Sequence, residues 1–200
     1  MTEEGSKRGE NIESIEELDD LEAFFPSDED SLEDIDVNTG EDRGVTSYQT
    51  EIEQYKISMD KIDANPNFIY EPACGFNVSI AKAFPYAEIL FADIKNKKVE
   101  NVNRAGYNVV RADAEELALS ENPDITVLKR AAFDVTRALE NNKSDYVFAN
   151  NRFHKAIEIE EMESHELIGK VGESQIEWEE SETVNKNEDE DYLYIFQSKE

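Results

Sequence analysis

The chain has 200 residues, of which 38% are hydrophobic, and its 48 acidic against 20 basic residues give a formal net charge of −28. That length allows one domain with appendages, the low apolar share implies that part of the chain is not folded, and so acidic a surface makes free nucleic acid and membrane faces poor partners. A single cysteine, Cys74, excludes an internal disulfide and a multi-cysteine metal site. No apolar run approaches the ~18 residues of a membrane span and the acidic N-terminus resembles no targeting peptide, so the expected compartment is the cytoplasm.

The charge divides evenly: residues 1–44 hold 17 acidic and 3 basic residues, a net of −14, and the remainder holds 31 and 17, also −14. Acidity thus belongs to the folded part as well as the N-terminal stretch, which suits a cationic partner or a very salty cytoplasm. In molar salt the Debye length falls to about 3 Å and self-repulsion is screened, so a halophilic setting is the favoured expectation. Against it, 13 of the 20 basic residues are lysine, more than a strict salt-in organism is expected to use.

Residues 1–45 are Glu, Asp, Ser and Gly with scattered apolar positions and bury too little to offset their ordering entropy. They are expected to form a disordered acidic tail ahead of a domain spanning 46–200. Within the tail, Ile15, Leu18, Leu21, Phe24 and Phe25 recur at helical spacing, describing a short docking helix or a solvated segment of transient helicity. In the next segment Tyr48, Ile52, Tyr55 and Met59 recur at intervals of four, three and four, which predicts a helix over Ser47–Ile62 packed on the sheet edge. Gln49, Glu51, Glu53, Gln54 and Lys56 would then face solvent, and Asn65-Pro66 ends the segment.

Beyond Pro66 the pattern alternates between strand and helix, the mark of a doubly wound, mostly parallel sheet with helices on its faces. Strands are expected at Asn67–Glu71, Glu88–Asp93, Tyr107–Arg111, Asp124–Leu128 and Asp145–Ala149, with helices at Asn77–Phe84, Lys97–Ala105, Ala114–Leu119 and Ala131–Asn141. A further helix near Ile159–Val171 precedes two runs, Gln175–Glu180 and Tyr192–Gln197, expected to form a C-terminal antiparallel strand pair.

The most informative stretch is FIYEPACGFN, Phe68–Asn77: a short apolar run, an acidic residue, then a tight turn of small residues opening an amphipathic segment. Such a strand-turn-helix aims backbone N–H groups at a ligand. The run EILFADIK repeats apolar strand then carboxylate, setting Asp93 at the carboxyl end of a neighbouring parallel strand. Two adjacent strand ends facing one crevice make a nucleotide-type pocket.

This order of elements and acidic positions resembles the class I S-adenosylmethionine-dependent methyltransferase family, from Asn67 to the C-terminus and most strongly over Tyr70–Leu117. The resemblance implies a Rossmann-like fold with S-adenosylmethionine as cofactor and a small-molecule or protein methyl acceptor. It sets Glu71 beside the ligand's amino group, Gly75 where backbone approaches the ligand, and Asp93 on the ribose hydroxyls, a task for an acceptor-only group. Asp113 would receive the adenine amino group. Ala73 and Asn77 stand where further glycines are usual, so the loop matches in part. Each carboxylate also has a plain reading: Asp93 and Asp113 as helix caps, Glu71 as a partner of loop N–H groups.

Lys129 and Arg130 follow the fourth strand, where many methyltransferases keep a short polar or aromatic motif, and two cations near a sulfonium are unhelpful. They would bind an anionic substrate or the ligand's carboxylate, or form surface salt bridges. The Asn-Pro-Pro-Tyr type of tetrad used by amino-group DNA methyltransferases is absent at this position. Cys74 reads as a nucleophile or as a small buried turn residue, His154 as a general base near the pocket, Asn150 and Asn151 as substrate contacts or turn formers, and His165 as a solvated helix residue. Three functions stay open: a methyltransferase, a catalytically silent methyltransferase-like binding or scaffold protein, and a dinucleotide-dependent oxidoreductase, the last weakened by the missing third small residue of its turn.

Overall fold

The computed structural model describes residues 44–129, 133–150, 162–184 and 191–199. The acidic tail with its amphipathic stretch, Arg130, and the Asn151 and His154 positions lie outside them. The chain enters through α1 (Gln49–Ile62) and continues as β1 (Phe68–Pro72), α2 (Ser79–Ala83), β2 (Glu88–Asp93), α3 (Asn96–Arg104) and β3 (Val109–Arg111). β4 (Ile125–Leu128), α4 (Val135–Asn141), β5 (Tyr146–Asn150), β6 (His165–Gly172), β7 (Trp178–Glu179) and β8 (Tyr192–Ser198) complete it.

The eight strands form one sheet in the order β3-β2-β1-β4-β5-β8-β6-β7. β1 to β5 run parallel, while β8 is antiparallel to β5 and β6, and β7 antiparallel to β6. Parallel neighbours need crossover connections, which α2, α3 and α4 provide. The chain builds outward from β1 to β3 and then returns to the far side of β1 with β4, so the order reverses between β1 and β4, where ligands of open α/β sheets bind.

Period-two alternation assigns the two faces of the sheet. Phe148, Leu193 and Ile195 join Ile69, Phe91 and Val127 under α1, α2 and α3, whereas Val147, Ala149, Tyr194 and Phe196 pack with Val135, Ala138 and Leu139 of α4 on the other face. α1 covers the first face, with Tyr55 stacked on Phe148 at 6.2 Å between ring centroids, and reaches edge strand β7. It ends at Ile62 because Asp63 adopts a left-handed φ of 50° and donates its N–H to the Met59 carbonyl, three residues ahead of Pro66.

The structure departs from three expectations. Ala114–Leu119 is no helix: Glu116 and Leu117 donate N–H groups to the Asp113 carbonyl, closing one turn that is not continued. The described part of the expected helix Ile159–Val171 is strand β6 from His165; Leu167, opposite Phe196, faces the α4 side and Val171, opposite Leu193, the α1 side, because a register shift between Leu167 and Gly169 breaks the alternation. Gly169 within it has a physical reason, because a Cβ there would sit 2.2 Å from Trp178 Cζ2. In consequence the last two strands are not partners; β6 lies between β7 and β8 and pairs with both.

Candidate functional site

The parallel register brings the two sequence-predicted strand ends together. Pro72 of β1 pairs with Ala92 of β2, Cys74 returns an N–H to the Ala92 carbonyl, and the turn Ala73–Asn77 folds over the end of β2. Ala73 and Gly75 both adopt left-handed backbone, with φ of 54° and 63°. At Gly75 the sign of φ favours glycine; a Cβ built there meets only Lys98 Nζ, at 3.8 Å, so no protein atom requires its absence.

Asp93 is buried at this junction. Its Oδ2 accepts the Gly75 N–H at 3.0 Å, its Oδ1 accepts the Lys95 N–H at 2.9 Å, and Lys98 Nζ stands 4.0 Å from Oδ2. The carboxylate therefore binds the glycine turn to the start of α3. A carboxylate has about four acceptor sites, so each oxygen keeps one lone pair beyond these N–H bonds.

The other expected residues take varied places. Asp113 is exposed; its Oδ1 accepts the Glu115 N–H at 2.9 Å, which makes it a turn former past the end of β3. Asn77 is a strut: its Oδ1 caps Ser79 N–H at the start of α2, and its Nδ2 donates to Glu51 Oε2 at 2.9 Å. Segment 46–48 pins the same loop, with Thr46 N–H donating to the Phe76 carbonyl, Val78 N–H to the Thr46 carbonyl, and Tyr48 N–H to Ser79 Oγ. Asn150 ends β5.

Glu71 is fully buried at the end of β1, and neither carboxylate oxygen has a hydrogen bond. Its neighbour is Lys129, just beyond β4, whose ammonium lies 3.4 Å from Glu71 Oε1, 3.1 Å from Glu51 Oε2 and 5.2 Å from the Tyr55 ring centroid. These are ion pairs by distance, without hydrogen-bond angles at the ammonium. Lys129 is thus no surface residue: its side chain is 8% exposed. Glu51, expected on the solvent face of α1, turns inward, and Gln54 is buried and donates to the Val171 carbonyl. α1 is wedged between the glycine turn and β6, which widens its buried arc beyond the apolar stripe. The sequence signal for that arc was Ser58, which with Gln54 and Glu51 lines one flank of the stripe.

Burial drives the Glu71 carboxyl up to about 7, with Lys129 opposing and Glu51 reinforcing the rise. For Glu51 burial also works upward, but Lys129 and the Asn77 hydrogen bond outweigh it and leave the carboxyl below its ordinary value. Burial works against the charge of Lys129, yet the two carboxylates hold it well above the usual lysine value. Cys74 is buried, and burial with Glu71 and Asp93 raises its thiol, which favours the small buried turn residue over the nucleophile. His165 is a buried strand residue rather than a solvated helical one: Nε2 donates to the Ser144 carbonyl at 2.9 Å, Nδ1 accepts from Ser164 Oγ at 2.8 Å, and burial lowers its pKa. Among the described residues no group of three or more His, Cys, Asp or Glu is arranged for a metal, and no helix is long and apolar enough to cross a membrane.

The sequence matches no protein-family model and no curated protein. Solved structures match in fold. The N-methyltransferase NodS from Bradyrhizobium japonicum is 11% identical with a TM-score of 0.55 over 75% of this chain and 96% of that one. The plantazolicin methyltransferase BpumL, in complex with S-adenosylhomocysteine, is 12% identical with a TM-score of 0.53 over 75% and 83%. A TehB-like S-adenosylmethionine-dependent methyltransferase from Corynebacterium glutamicum is 14% identical with a TM-score of 0.50 over 74% and 88%. The chain has the class I methyltransferase fold.

Proposed function

We propose that this domain binds S-adenosylmethionine through its adenosine half at the carboxyl ends of β1 and β2, and that it is a methyltransferase acting on a small-molecule or protein acceptor. The observation that carries the reading is the Gly75 amide held 3.0 Å from Asp93 Oδ2 at two neighbouring parallel strand ends. The remaining lone pairs of Asp93 would accept the ribose hydroxyls, the Ala73–Asn77 backbone would line the nucleoside, and Asp113 would take the adenine amino group. Space at Gly75, where a Cβ meets no protein atom closer than 3.8 Å, suits that half of the ligand.

The methionine half fits less well. Glu71, which would hold the ligand's ammonium, already faces the ammonium of Lys129 at 3.4 Å. When bound, S-adenosylmethionine supplies an activated methyl carbon. The protein's share in such a transfer is to align the acceptor and exclude water, and it needs no triad.

A second reading, a catalytically silent binding or scaffold protein, is favoured by the Lys129–Glu71 pair. Both readings predict thermal stabilisation by S-adenosylmethionine or S-adenosylhomocysteine and none by NAD, tested in low salt and in molar KCl. A ligand at a hundred times its dissociation constant adds about 2.7 kcal/mol. Methyl transfer from a labelled donor to an extract supports the enzyme, nucleoside stabilisation without transfer supports the binding protein, and a response to NAD alone overturns both.

A further inference from the structure

We infer that Lys129 is a specificity-determining residue of this site: its ammonium stands beside Glu71 where the ammonium of an amino-acid tail would lie, so the site favours the bare adenosine half over S-adenosylmethionine and its homocysteine product. The inference rests on the nucleoside reading proposed above and names the ligand class within it.

Lys129 reaches this position through the sheet. β1 and β4 are parallel neighbours with Ile69 opposite Ile125 and Tyr70 opposite Thr126, so Glu71 and Lys129 fall on adjacent chain ends at the point where the strand order reverses. The acceptors waiting for the ammonium are set in advance. Glu71 belongs to a central strand and is 0% exposed. Glu51 is held from the other side by Asn77 Nδ2 at 2.9 Å, and the start of α1 is pinned to the glycine turn by Thr46 and Tyr48. The Tyr55 ring closes over the ammonium at 5.2 Å.

The ammonium of the ligand's amino-acid tail meets two costs here. If Lys129 stays, two unit positive charges share one small volume. About 4 Å apart at an effective dielectric near 20, like charges shift an equilibrium about a thousandfold. If Lys129 leaves, two carboxylates lose the cation between them, and the loss of one partner from a buried ionic group is strongly unfavourable. The carboxylate of the same tail offsets little of this, because Glu51 and Glu71 already stand against the one ammonium. A neutral nucleoside meets neither cost: its sugar addresses Asp93 and the turn, whose Cys74 N–H is tied to the end of β2, the strand on the opposite flank of β1 from β4.

Calorimetric titration of the full chain with adenosine and with S-adenosylhomocysteine tests this. The wild type is expected to bind adenosine at least as tightly as the larger ligand, and Lys129→Arg to keep that order. Lys129→Met should tighten S-adenosylhomocysteine at least tenfold, about 1.4 kcal/mol, and leave adenosine within about twofold. Should that variant fail to fold, Lys129→Met/Glu51→Gln removes one charge of each sign, preserves the net charge of the buried group, and is expected to give the same reversal. A wild type that binds S-adenosylhomocysteine tenfold tighter than adenosine, or an unchanged ratio in the variants, overturns the inference and leaves the nucleoside reading standing. Binding of neither ligand to any form overturns that reading and the inference with it.

Discussion

Glu71 makes the stability of this protein depend on pH in a direction opposite to that of an ordinary salt-bridged carboxylate. Burial raises its pKa from 4.5 to about 7, so between these values the folded chain holds a proton that the unfolded chain has released. The folded state then binds more protons than the unfolded one, and stability falls as pH rises. The contribution is fully present below pH 4.5 and is lost as pH passes through about 7. Integrated from pH 5 to pH 8, a rise of that size removes roughly 2–3 kcal/mol. At roughly 2–4 °C per kcal/mol for a domain of this size, that is a fall in melting temperature of about 5–10 °C. Glu71→Gln carries the neutral form at every pH and serves as the control. Carboxylates outside this cluster act alike in both proteins, so the difference between the two melting profiles at constant ionic strength reports on Glu71 and the groups coupled to it. It should be near zero at pH 5 and widen in favour of the variant toward pH 8. Parallel profiles across that window would refute the reasoning.

Three further outcomes follow from single contacts. Asp93→Ala strips the acceptor from the Gly75 and Lys95 N–H groups; at about 1.5–3 kcal/mol for each charged hydrogen bond, a destabilisation of roughly 3–6 kcal/mol is expected in urea unfolding, together with loss of the nucleoside-induced thermal shift. Gly75→Ala should cost only about 1 kcal/mol, since φ is 63° but the space is open, while weakening nucleoside binding by at least about tenfold because the new methyl enters the space proposed for the ligand. Gly169→Ala must push aside Trp178, the single tryptophan of the chain. It is expected to cost about 1–3 kcal/mol and to red-shift the intrinsic fluorescence, whereas an unchanged spectrum would show that the ring does not lie over this glycine.

The parallel half of the fold was legible because each strand from β1 to β5 is a short apolar run bounded by turn residues, and period two sorts its side chains without outside help. Glu88–Asp93 was placed with its observed ends, and Glu71 and Asp93 were found at strand ends because a carboxylate closing an apolar run is a local signal. The C-terminal half was not legible in the same way. The residues of β6 carry no simple strand alternation, because the pairing with β8 shifts register between Leu167 and Gly169, and Gly169 makes sense only once Trp178 lies across it.

What local pattern established about this protein is an alternating α/β chain, the positions of its strands along the sequence up to β5, and a glycine turn facing an acidic strand end. Those features depend on neighbours within a few residues, and propensity and periodicity read such distances directly. The surroundings of the β1 and β4 ends were settled by long-range packing. Glu51, Glu71 and Lys129 come from three separate elements, and no spacing along the chain announces that a helical glutamate expected in solvent would turn inward to meet a lysine expected on the surface. Burying a charge is unfavourable unless a partner arrives from elsewhere, so the pairing is a property of the packed protein and not of any one segment.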